Sequence, residues 1–365
     1  MGKRIIISGG GTGGHVFPAI SIANALKSID SDVIIHFVGA MGRLEMYKVP
    51  EAGYDISGLP VTGFERKRIH KNITVIFRLI KSLDLAKKII DRFKPHVAVG
   101  VGGYASGPLL RVAAKKGIPT LIQEQNSSAG VTNKLLAKKA KVICVAYEGM
   151  EKYFPAEKIL FTGNPVRKDL VRLKEKSKEA YDYFKLDDSL PVVLVLGGSG
   201  GSRSINDSIA TGLQKFGERK IQLIWQTGKY YFDSIKTTYE ESGSSIVHLH
   251  DFIDRMDLAF SVADIVVSRA GAVTISELSI AGKPVILIPS PNVADDHQTR
   301  NAMSLVNKEA ALMIKDSESV QKLTDAIIEL VEDTEKKKRL SENISSLALK
   351  DSDIIIAKEI LKLAE

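Results

Sequence analysis

The sequence predicts two α/β domains in series, each built on a doubly wound parallel sheet. The chain has 365 residues, which is longer than one compact core usually supports. Short β-rich runs alternate with longer amphipathic stretches, as they do in parallel βαβ units. This alternation occurs in both halves of the chain, and glycine-rich turns follow three of the predicted strands.

Five strands are predicted in the first half. Helix-length stretches such as AISIANALKSI (19–29) separate several of them, so we expect parallel pairing through helical crossovers. The predicted strands are residues 4–8, 32–38, 96–101, 119–124 and 141–146.

The second half repeats the pattern with strands predicted at residues 191–198, 220–228, 244–252, 263–269 and 283–289. The turn Gly163-Asn164-Pro165 and the charged stretch after it indicate a domain boundary. We therefore expect domains at 1–163 and 164–345, with residues 346–365 forming a helix that packs back on the first domain.

The cysteine content, the hydropathy and the net charge limit the compartments and ligands to be considered for this protein. Cys144 is the single cysteine and lies in an apolar run, which favours a reducing compartment. The N-terminus predicts no secretory signal, and no stretch approaches the roughly 20 apolar residues of a membrane-spanning helix. The net charge of +8 is compatible with nucleic acid, an anionic membrane or phosphorylated substrates, and charge alone does not choose among them.

Three glycine-rich turns between strand and helix predict anion sites. Glycine admits positive φ and lets a phosphate approach the N–H groups at the start of a helix. The alternative is that the glycines only permit tight turns, which explains one such loop more easily than three. The turns are GGGTGGH (9–15), GVGGYASGP (100–108) and LGGSGGSRS (196–204).

The first turn also matches the dinucleotide-binding fingerprint G-x-G-x-x-G at Gly9, Gly11 and Gly14. That fingerprint needs a carboxylate at the end of the following strand, where this chain has HFVGA, so a dehydrogenase is disfavoured. The Walker pattern of nucleotidases is absent. Asp-Ser-Asp occurs at 30–32 and 351–353, where turn and helix-cap roles are favoured, so we expect no required metal.

The segment SRAGAVTISELSIAGKPVILIPSP (268–291) predicts a site for a nucleotide diphosphate. A strand ends at Arg269 and a helix is expected from near Val273, whose N-terminus stabilises negative charge without a metal. Glu277, expected in the first turn, suits a ribose diol, although Thr274 and Glu277 also fit a capping box.

The polar stretch PNVADDHQTRNA (291–302) follows an apolar strand. Ligands of open α/β sheets bind beyond the carboxyl ends of the strands, and Gln298 and Asn301 suit sugar hydroxyls there. The alternative is a helix start with solvated polar residues.

These turns, together with EQNSSAGVTNK (124–134) and GNPVR (163–167), resemble the MurG family of bacterial glycosyltransferases in order and spacing over nearly the whole chain. The resemblance implies the GT-B fold, two Rossmann-like domains facing across a cleft. It implies transfer of N-acetylglucosamine from UDP-N-acetylglucosamine (UDP-GlcNAc) to lipid I, which is undecaprenyl diphosphate carrying N-acetylmuramyl-pentapeptide. The product is lipid II, the peptidoglycan precursor.

The resemblance also implies a location and partners. The enzyme is expected at the cytoplasmic face of the bacterial membrane, as a peripheral protein on an anionic surface, with other cell-wall synthesis proteins as partners. No cofactor, metal or nucleic acid is expected.

The resemblance places most donor contacts in the second domain. Ser199 is expected at the diphosphate, Arg167 and Ile253 at the uracil, and Glu277 at the ribose. Family members usually have glutamine after the loop serine, whereas this chain has Gly200, which puts that contact in question. The donor residues carried over are Arg167, Ser199, Ile253, Ala272, Val273, Thr274, Glu277, Gln298 and Asn301.

The first domain is expected to contribute the acceptor side and the catalytic base. Inversion at the sugar needs a base for the acceptor hydroxyl, and His15 is the leading candidate because a helix N-terminus favours neutral imidazole. The alternative role for His15 is orienting or capping, and Glu124 is a weaker candidate for the base. The other residues carried over are Thr12, Gly13, Gly14, Tyr104 and Asn126.

Membrane contact is expected from residues 63–88, where basic residues surround Ile73, Ile76, Phe77, Leu79 and Ile80. The alternative is an ordinary amphipathic helix whose apolar face is core. A UDP-GlcNAc 2-epimerase-like enzyme of the same fold, a non-catalytic UDP-sugar-binding subunit and the disfavoured dehydrogenase stay open as alternative functions.

Overall fold

The chain forms two compact units, of which the first comprises residues 1–166 and 351–365 and the second comprises residues 167–350. A computed structural model describes residues 2–63, 72–167, 170, 176–198, 200–242, 246–293 and 296–365. The expected division was at residue 163, with the return segment starting at 346.

A seven-stranded sheet forms the first unit, and each neighbouring pair is parallel. Its strands are β1 (Arg4–Ser8), β2 (Ile34–Ala40), β3 (Asp55–Leu59), β4 (Val97–Gly100), β5 (Thr120–Glu124), β6 (Val142–Val145) and β7 (Ile159–Phe161). They are ordered β3-β2-β1-β4-β5-β6-β7. The order reverses between β1 and β4, so the two glycine-rich loops that follow these strands lie side by side.

Helices cover both faces of this sheet. They are α1 (Gly13–Ile29), α2 (Glu45–Glu51), α3 (Asn72–Phe93), α4 (Ser106–Lys115) and α5 (Val131–Ala137). Ile5 and Ile7 of β1 pack in one core cluster and Ile6 in the other, because successive side chains of a strand point to opposite faces. Cys144 lies in the cluster with Ile5, and burial raises the pKa of its thiol.

A six-stranded parallel sheet forms the second unit. Its strands are β8 (Val192–Leu196), β9 (Gln222–Gln226), β10 (Val247–His250), β11 (Ile265–Ser268), β12 (Val285–Leu287) and β13 (Leu312–Met313). They are ordered β10-β9-β8-β11-β12-β13, so the direction reverses between β8 and β11. The loops after these two strands therefore share the edge where such sheets bind ligands.

The helices of the second unit surround this sheet. They are α6 (Lys178–Phe184), α7 (Arg203–Glu218), α8 (Lys229–Ser242), α9 (Met256–Val262), α10 (Ala272–Ala281), α11 (His297–Val306), α12 (Ser319–Glu332) and α13 (Thr334–Ser345).

The C-terminal helix α14 (Ser352–Leu363) belongs to the first unit and packs against α1. Its residues Ile356, Ala357 and Ile360 are fully buried in the core cluster that contains Ile5. Lys3 Nζ donates a hydrogen bond to the Leu361 carbonyl at 3.1 Å. The end of the chain is thus an integral part of the first unit.

The predicted fold class is confirmed, since all ten predicted strands are present with ends that differ by up to three residues. Three further strands, β3, β7 and β13, lie at sheet edges and were not predicted. They are short or interrupted by Ser57 and Gly58, so their apolar pattern is weak. Within the described parts of the chain, none of the helices has the length and hydropathy needed to cross a bilayer.

Two half-buried histidines lie on the edge strand β10. The Nε2 atoms of His248 and His250 are buried and have no hydrogen-bond partner among the described residues. Burial lowers the pKa of both imidazoles, and His250 and Lys185 lower the pKa of His248 further, while Asp251 opposes the shift at His250. His250 also packs edge-on against Phe184, with ring centroids 5.5 Å apart. Both imidazoles are therefore neutral in the folded second unit at neutral pH.

We expect the protein to lose stability as the pH falls below about 6.5, the usual pKa of histidine. Below that value the unfolded chain binds protons that folded His248 and His250 do not, so acid favours unfolding. Each kcal/mol lost lowers the melting temperature by roughly 2–4 °C.

The check is thermal unfolding between pH 5 and 8 for the wild type and a His248→Gln/His250→Gln variant. The variant should show a flatter pH dependence. His96→Gln, which alters an exposed histidine, is the control and should retain the wild-type slope. Equal slopes for all three proteins would contradict the assignment.

Candidate active site

His15 lies in the first turn of α1, directly after the β1 glycine loop. Its Nδ1 lies 3.1 Å from the Gly10 carbonyl oxygen and 3.4 Å from Thr12 Oγ1. Because a carbonyl oxygen only accepts, the contact with Gly10 places the proton on Nδ1. Nε2 is then the ring nitrogen able to accept a proton.

The β4 glycine loop makes room for this imidazole. Gly102 has a φ of +93°, and a β-carbon built on it would lie 2.5 Å from His15 Cδ2 and 2.8 Å from His15 Nε2. Only glycine satisfies both the backbone and the close approach. The second loop was predicted as an anion site, and the structure gives it an additional steric role.

The β1 loop offers fewer free N–H groups than its glycines suggested. The Gly11 N–H donates to Glu45 Oε2 at 2.8 Å, so this group is already engaged. Thr12 is the N-cap residue of α1, and Gly13 and Gly14 open the helix. The N–H groups of the first two helical residues lack acceptors within the helix and suit an anion.

Glu124 holds the loop after β5. Its buried carboxylate accepts from Asn126 N at 3.1 Å, Asn126 Nδ2 at 3.3 Å, Gly130 N at 2.9 Å and Asn133 Nδ2 at 2.9 Å. Four donors occupy the lone pairs that a base needs, so the geometry favours a structural role for Glu124 over catalysis. Asn126 is held by the same carboxylate.

Tyr104 lies in the turn before α4 and is 49% exposed. Its hydroxyl lies close to Gly63, where a β-carbon would overlap it. Tyr104 therefore presents an accessible aromatic surface beside the β4 loop.

In the second unit, α10 begins directly after β11. Gly271 is its N-cap residue and provides no side-chain cap, while Ala272, Val273 and Thr274 form the first turn. The capping box that the sequence suggested is therefore not formed, since Thr274 lies inside the helix. Glu277 lies in the second turn, not in the first as expected, and is half-buried.

Gln226, at the end of β9, is hydrogen-bonded to two loops at the carboxyl edge of the second sheet. Its Nε2 donates to the Gly198 carbonyl at 3.2 Å, and its Oε1 accepts from the Ile253 N–H at 2.9 Å. The Ile253 side chain is buried and its N–H is engaged, so among the described residues its carbonyl is the backbone group left for a ligand. Ser199, between these contacts in sequence, lies outside the described residues.

Charged side chains also brace the second unit. Arg269 donates to the Ile288 carbonyl at 3.0 Å and to Ser204 Oγ at 3.1 Å, and it pairs with Asp316. Its guanidinium thereby ties β11 to the start of α7. Arg167, at the edge of the unit, donates to the Asp254 carbonyl at 3.4 Å, close to Ile253.

The two polar residues of α11 have different surroundings. Gln298 Oε1 accepts from the Ser290 N–H at 2.8 Å, which leaves its amide group as a donor. Asn301 is fully buried, and its Nδ2 donates to the Ala270 carbonyl at 3.4 Å. This favours Gln298 for ligand contact and Asn301 for support of the turn before α10.

Comparisons with known proteins identify the family. The family model described as the glycosyltransferase family 28 N-terminal domain matches residues 5–145, and the corresponding C-terminal domain matches residues 192–355. A Bacteroides fragilis protein is 55% identical over 364 residues, which cover 99% of this chain and 96% of the relative. It is named UDP-N-acetylglucosamine–N-acetylmuramyl-(pentapeptide) pyrophosphoryl-undecaprenol N-acetylglucosamine transferase. The chain belongs to the MurG family of glycosyltransferases.

Solved structures agree with this family. The Acinetobacter baumannii MurG structure superposes with a TM-score of 0.79 and 26% identity, covering 99% of both chains. A putative UDP-N-acetylglucosamine 2-epimerase from Listeria monocytogenes has a TM-score of 0.72 at 11% identity, covering 99% of this chain and 96% of its own. The epimerase likeness reflects the shared GT-B fold alone.

Two supporting residues of this MurG-family chain were not predicted from the sequence. Glu45 follows β2 in the stretch GRLEMYK, and Gln226 ends the apolar strand LIWQ. Each is a polar residue at or after the carboxyl end of a strand, which is the available signal. That signal is weak because the loops that they contact are distant in sequence.

We expect Gly102→Ala to destabilise the first unit. A positive φ costs alanine about 1–2 kcal/mol, and the collision with His15 adds roughly 1–3 kcal/mol. The free energy of unfolding in urea measures the loss.

Gly117→Ala is the matched control, since Gly117 has a φ of +76° with no atom within 4 Å of a built β-carbon. It should lose only the backbone part. Equal losses in the two variants would show that His15 does not lie against Gly102.

Proposed function

We propose that this chain catalyses the reaction for which its relatives are named. It transfers N-acetylglucosamine from UDP-GlcNAc to lipid I, with inversion at the anomeric carbon, and makes lipid II. The observation that carries this proposal is 55% identity, over 99% of the chain, to a transferase of that name. The roles of individual residues rest on the geometry of the two units.

The donor is assigned to the second unit. The first-turn N–H groups of α10, at Ala272, Val273 and Thr274, and the helix dipole suit the diphosphate, since they oppose negative charge on the departing UDP. Glu277, one turn further along, suits the ribose hydroxyls, and the amide group of Gln298 suits the sugar. These dipoles are fixed before the reaction, so they need no reorganisation as charge develops.

The uracil is assigned to the loop at 251–254. Gln226 holds the Ile253 N–H, and Arg167 contacts the Asp254 carbonyl, so the backbone here is fixed from two sides. A rigid backbone edge with an available carbonyl can discriminate a base by hydrogen bonding. Because Gln226 also binds Gly198, it links this loop to the glycine loop after β8.

The acceptor is assigned to the first unit. His15 Nε2 takes the proton of the attacking 4-hydroxyl as the new bond to the anomeric carbon forms and the bond to UDP breaks. The Gly10 carbonyl fixes the required tautomer. Gly13 and Gly14 suit the acceptor diphosphate through their N–H groups, and Tyr104 and Asn126 lie on neighbouring loops.

The test is incubation with labelled UDP-GlcNAc, with and without a lipid-linked muramyl acceptor. Transfer of label to the lipid supports the proposal. Label that stays on UDP with altered sugar stereochemistry supports an epimerase, and bound but unchanged donor supports a non-catalytic subunit. A nicotinamide absorbance change would support a dehydrogenase.

We expect His15→Ala to lower kcat by about 10²–10⁴-fold, the usual contribution of a general base. Binding of UDP-GlcNAc, measured by calorimetry, should change little because its contacts are assigned to the second unit. His96→Ala, at an exposed histidine of the same unit, should retain activity. Near-normal turnover of the His15 variant would exclude His15 as the base.

Membrane contact is proposed for α3. Ile76, Phe77 and Ile80 are 50%, 68% and 59% exposed, which the alternative of a core-facing stripe does not explain. Leu79 is half-buried, so it fits that alternative better, and the side chain of Ile73 and residues 64–71 lie outside the described residues. An exposed apolar patch near basic residues suits an anionic bilayer surface.

A second exposed apolar patch, on α5, supports membrane contact by the first unit. Val131 and Leu135 are 54% and 78% exposed, and Lys134, Lys138 and Lys139 accompany them. We therefore propose a peripheral enzyme at the cytoplasmic face of the membrane, where a UDP-sugar is available.

We expect Phe77→Ser/Ile80→Ser to weaken binding to anionic lipid vesicles by roughly tenfold or more, because two exposed apolar side chains lose their burial in lipid. Val320→Ser, which alters an exposed aliphatic residue on α12, is the control. Co-sedimentation with vesicles of graded anionic lipid content measures the effect. Vesicle binding that changes neither with the substitution nor with the anionic lipid content would contradict the proposal.

A further inference from the structure

Glu45 is a fully buried carboxylate beside the glycine loop of the first unit. Its Oε1 accepts from the Ala40 N–H at 2.8 Å, at the end of β2, and its Oε2 accepts from the Gly11 N–H at 2.8 Å. A buried carboxylate is unfavourable unless it is hydrogen-bonded, and these two backbone donors hold it in place.

Two glycines make the space for this side chain. A β-carbon on Gly39 would lie 2.5 Å from Glu45 Cγ, and one on Gly10 would overlap the carboxylate itself. Gly10 therefore serves a second purpose besides its turn, since any side chain there would expel Glu45. Glycine at positions 10 and 39 thus leaves the space that the Glu45 side chain occupies.

Glu45 and His15 contact opposite ends of one peptide group. The Gly11 N–H that donates to Glu45 and the Gly10 carbonyl that lies 3.1 Å from His15 Nδ1 belong to the same peptide bond. The groups form a continuous chain from the carboxylate through the peptide to the imidazole.

We propose that Glu45 is a positioning residue that acts on His15 through the Gly10–Gly11 peptide group. The carboxylate polarises the peptide, which makes the Gly10 carbonyl a stronger acceptor for the Nδ1 proton. This keeps Nε2 as the proton-accepting nitrogen, and it stabilises the imidazolium that forms. The inference rests on the proposed role of His15 as the base.

The proton balance is simple. As the acceptor oxygen bonds to the anomeric carbon and UDP departs, one proton moves from that oxygen to His15 Nε2 and later leaves to water. Nδ1 keeps its proton throughout, and Glu45 takes up none. Hydrogen bonds in a chain reinforce one another, so a carboxylate can act across a peptide much as the aspartate of a catalytic triad acts directly.

The first test is Glu45→Gln, which keeps the volume and removes the charge. We expect kcat to fall by about 10–100-fold, part of the contribution of a general base, while KM for UDP-GlcNAc stays unchanged. Glu51→Gln is the matched control, since Glu51 is an exposed residue of the same helix that pairs with Lys48. A normal kcat in the Glu45 variant would overturn the proposal.

The second test is ¹⁵N NMR of the histidine side chains, with the His15 signal assigned by its loss in His15→Ala. In the neutral wild type we expect the proton on Nδ1, and in Glu45→Gln a shift of the population towards Nε2–H. A wild-type His15 that is protonated on Nε2, or a tautomer unchanged by the substitution, would overturn the proposal.

These readouts separate the possible failures. The wild-type tautomer does not require the Glu45 variant, so it tests the proposal even if Glu45→Gln does not fold. It also needs no substrate. Absence of lipid-linked product from the wild type would therefore reject the proposed function. An Nε2–H wild type with full transfer activity would reject the role of Glu45 and the assignment of Nε2 as the base, but not the transfer reaction.

Discussion

Parallel pairing, with a reversal of strand order in the middle of each sheet, is the constraint on which the rest of this structure depends. All strands of a unit end at the same edge, and the reversal at β1/β4 and at β8/β11 lets the loops after those strands diverge to opposite faces. Both glycine loops of the first unit begin at one reversal. The glycine loop after β8 and the start of α10 begin at the other.

Glycine at these edges serves the packing of polar side chains. Gly102 makes room for the His15 ring, and Gly10 makes room for the Glu45 carboxylate. A side chain at Gly102 would displace His15 from its hydrogen bond, and one at Gly10 would displace Glu45. The glycine-rich loops thus let buried polar groups approach the backbone, and this fixes the shape that the loops present to a ligand.

The polar residues of the two edges fall into two groups according to their hydrogen bonds. Glu124 and Asn301 are buried and engaged with backbone or amide partners, so they brace the loops. Among the described residues, Gln298 is hydrogen-bonded through its oxygen to the Ser290 N–H, and its amide remains a donor. The two groups differ in the hydrogen bonds that they can still form. A side chain whose lone pairs and protons are engaged cannot also bind a ligand without breaking a bond. Residue type alone does not reveal which group a residue belongs to.

The sequence by itself determined the elements and their class. Its β-rich runs located ten strands and its motifs indicated the family, because these features depend on local pattern and spacing. Its glycine turns predict ligand sites at the carboxyl edges of the sheets. The edge strands β3, β7 and β13 could not be located in the same way, since half-buried short strands carry little pattern.

Only the tertiary structure decided which groups share a hydrogen bond. The carboxylate of Glu45 lies 34 positions from Gly11 in sequence, and Gln226 lies 27 positions from Ile253. The second-turn position of Glu277 and the four donors around Glu124 were equally invisible in the sequence. The physical reason is that a hydrogen bond depends on distance and direction in space, which strand order and helix packing set, whereas a sequence motif reports only residue type and spacing.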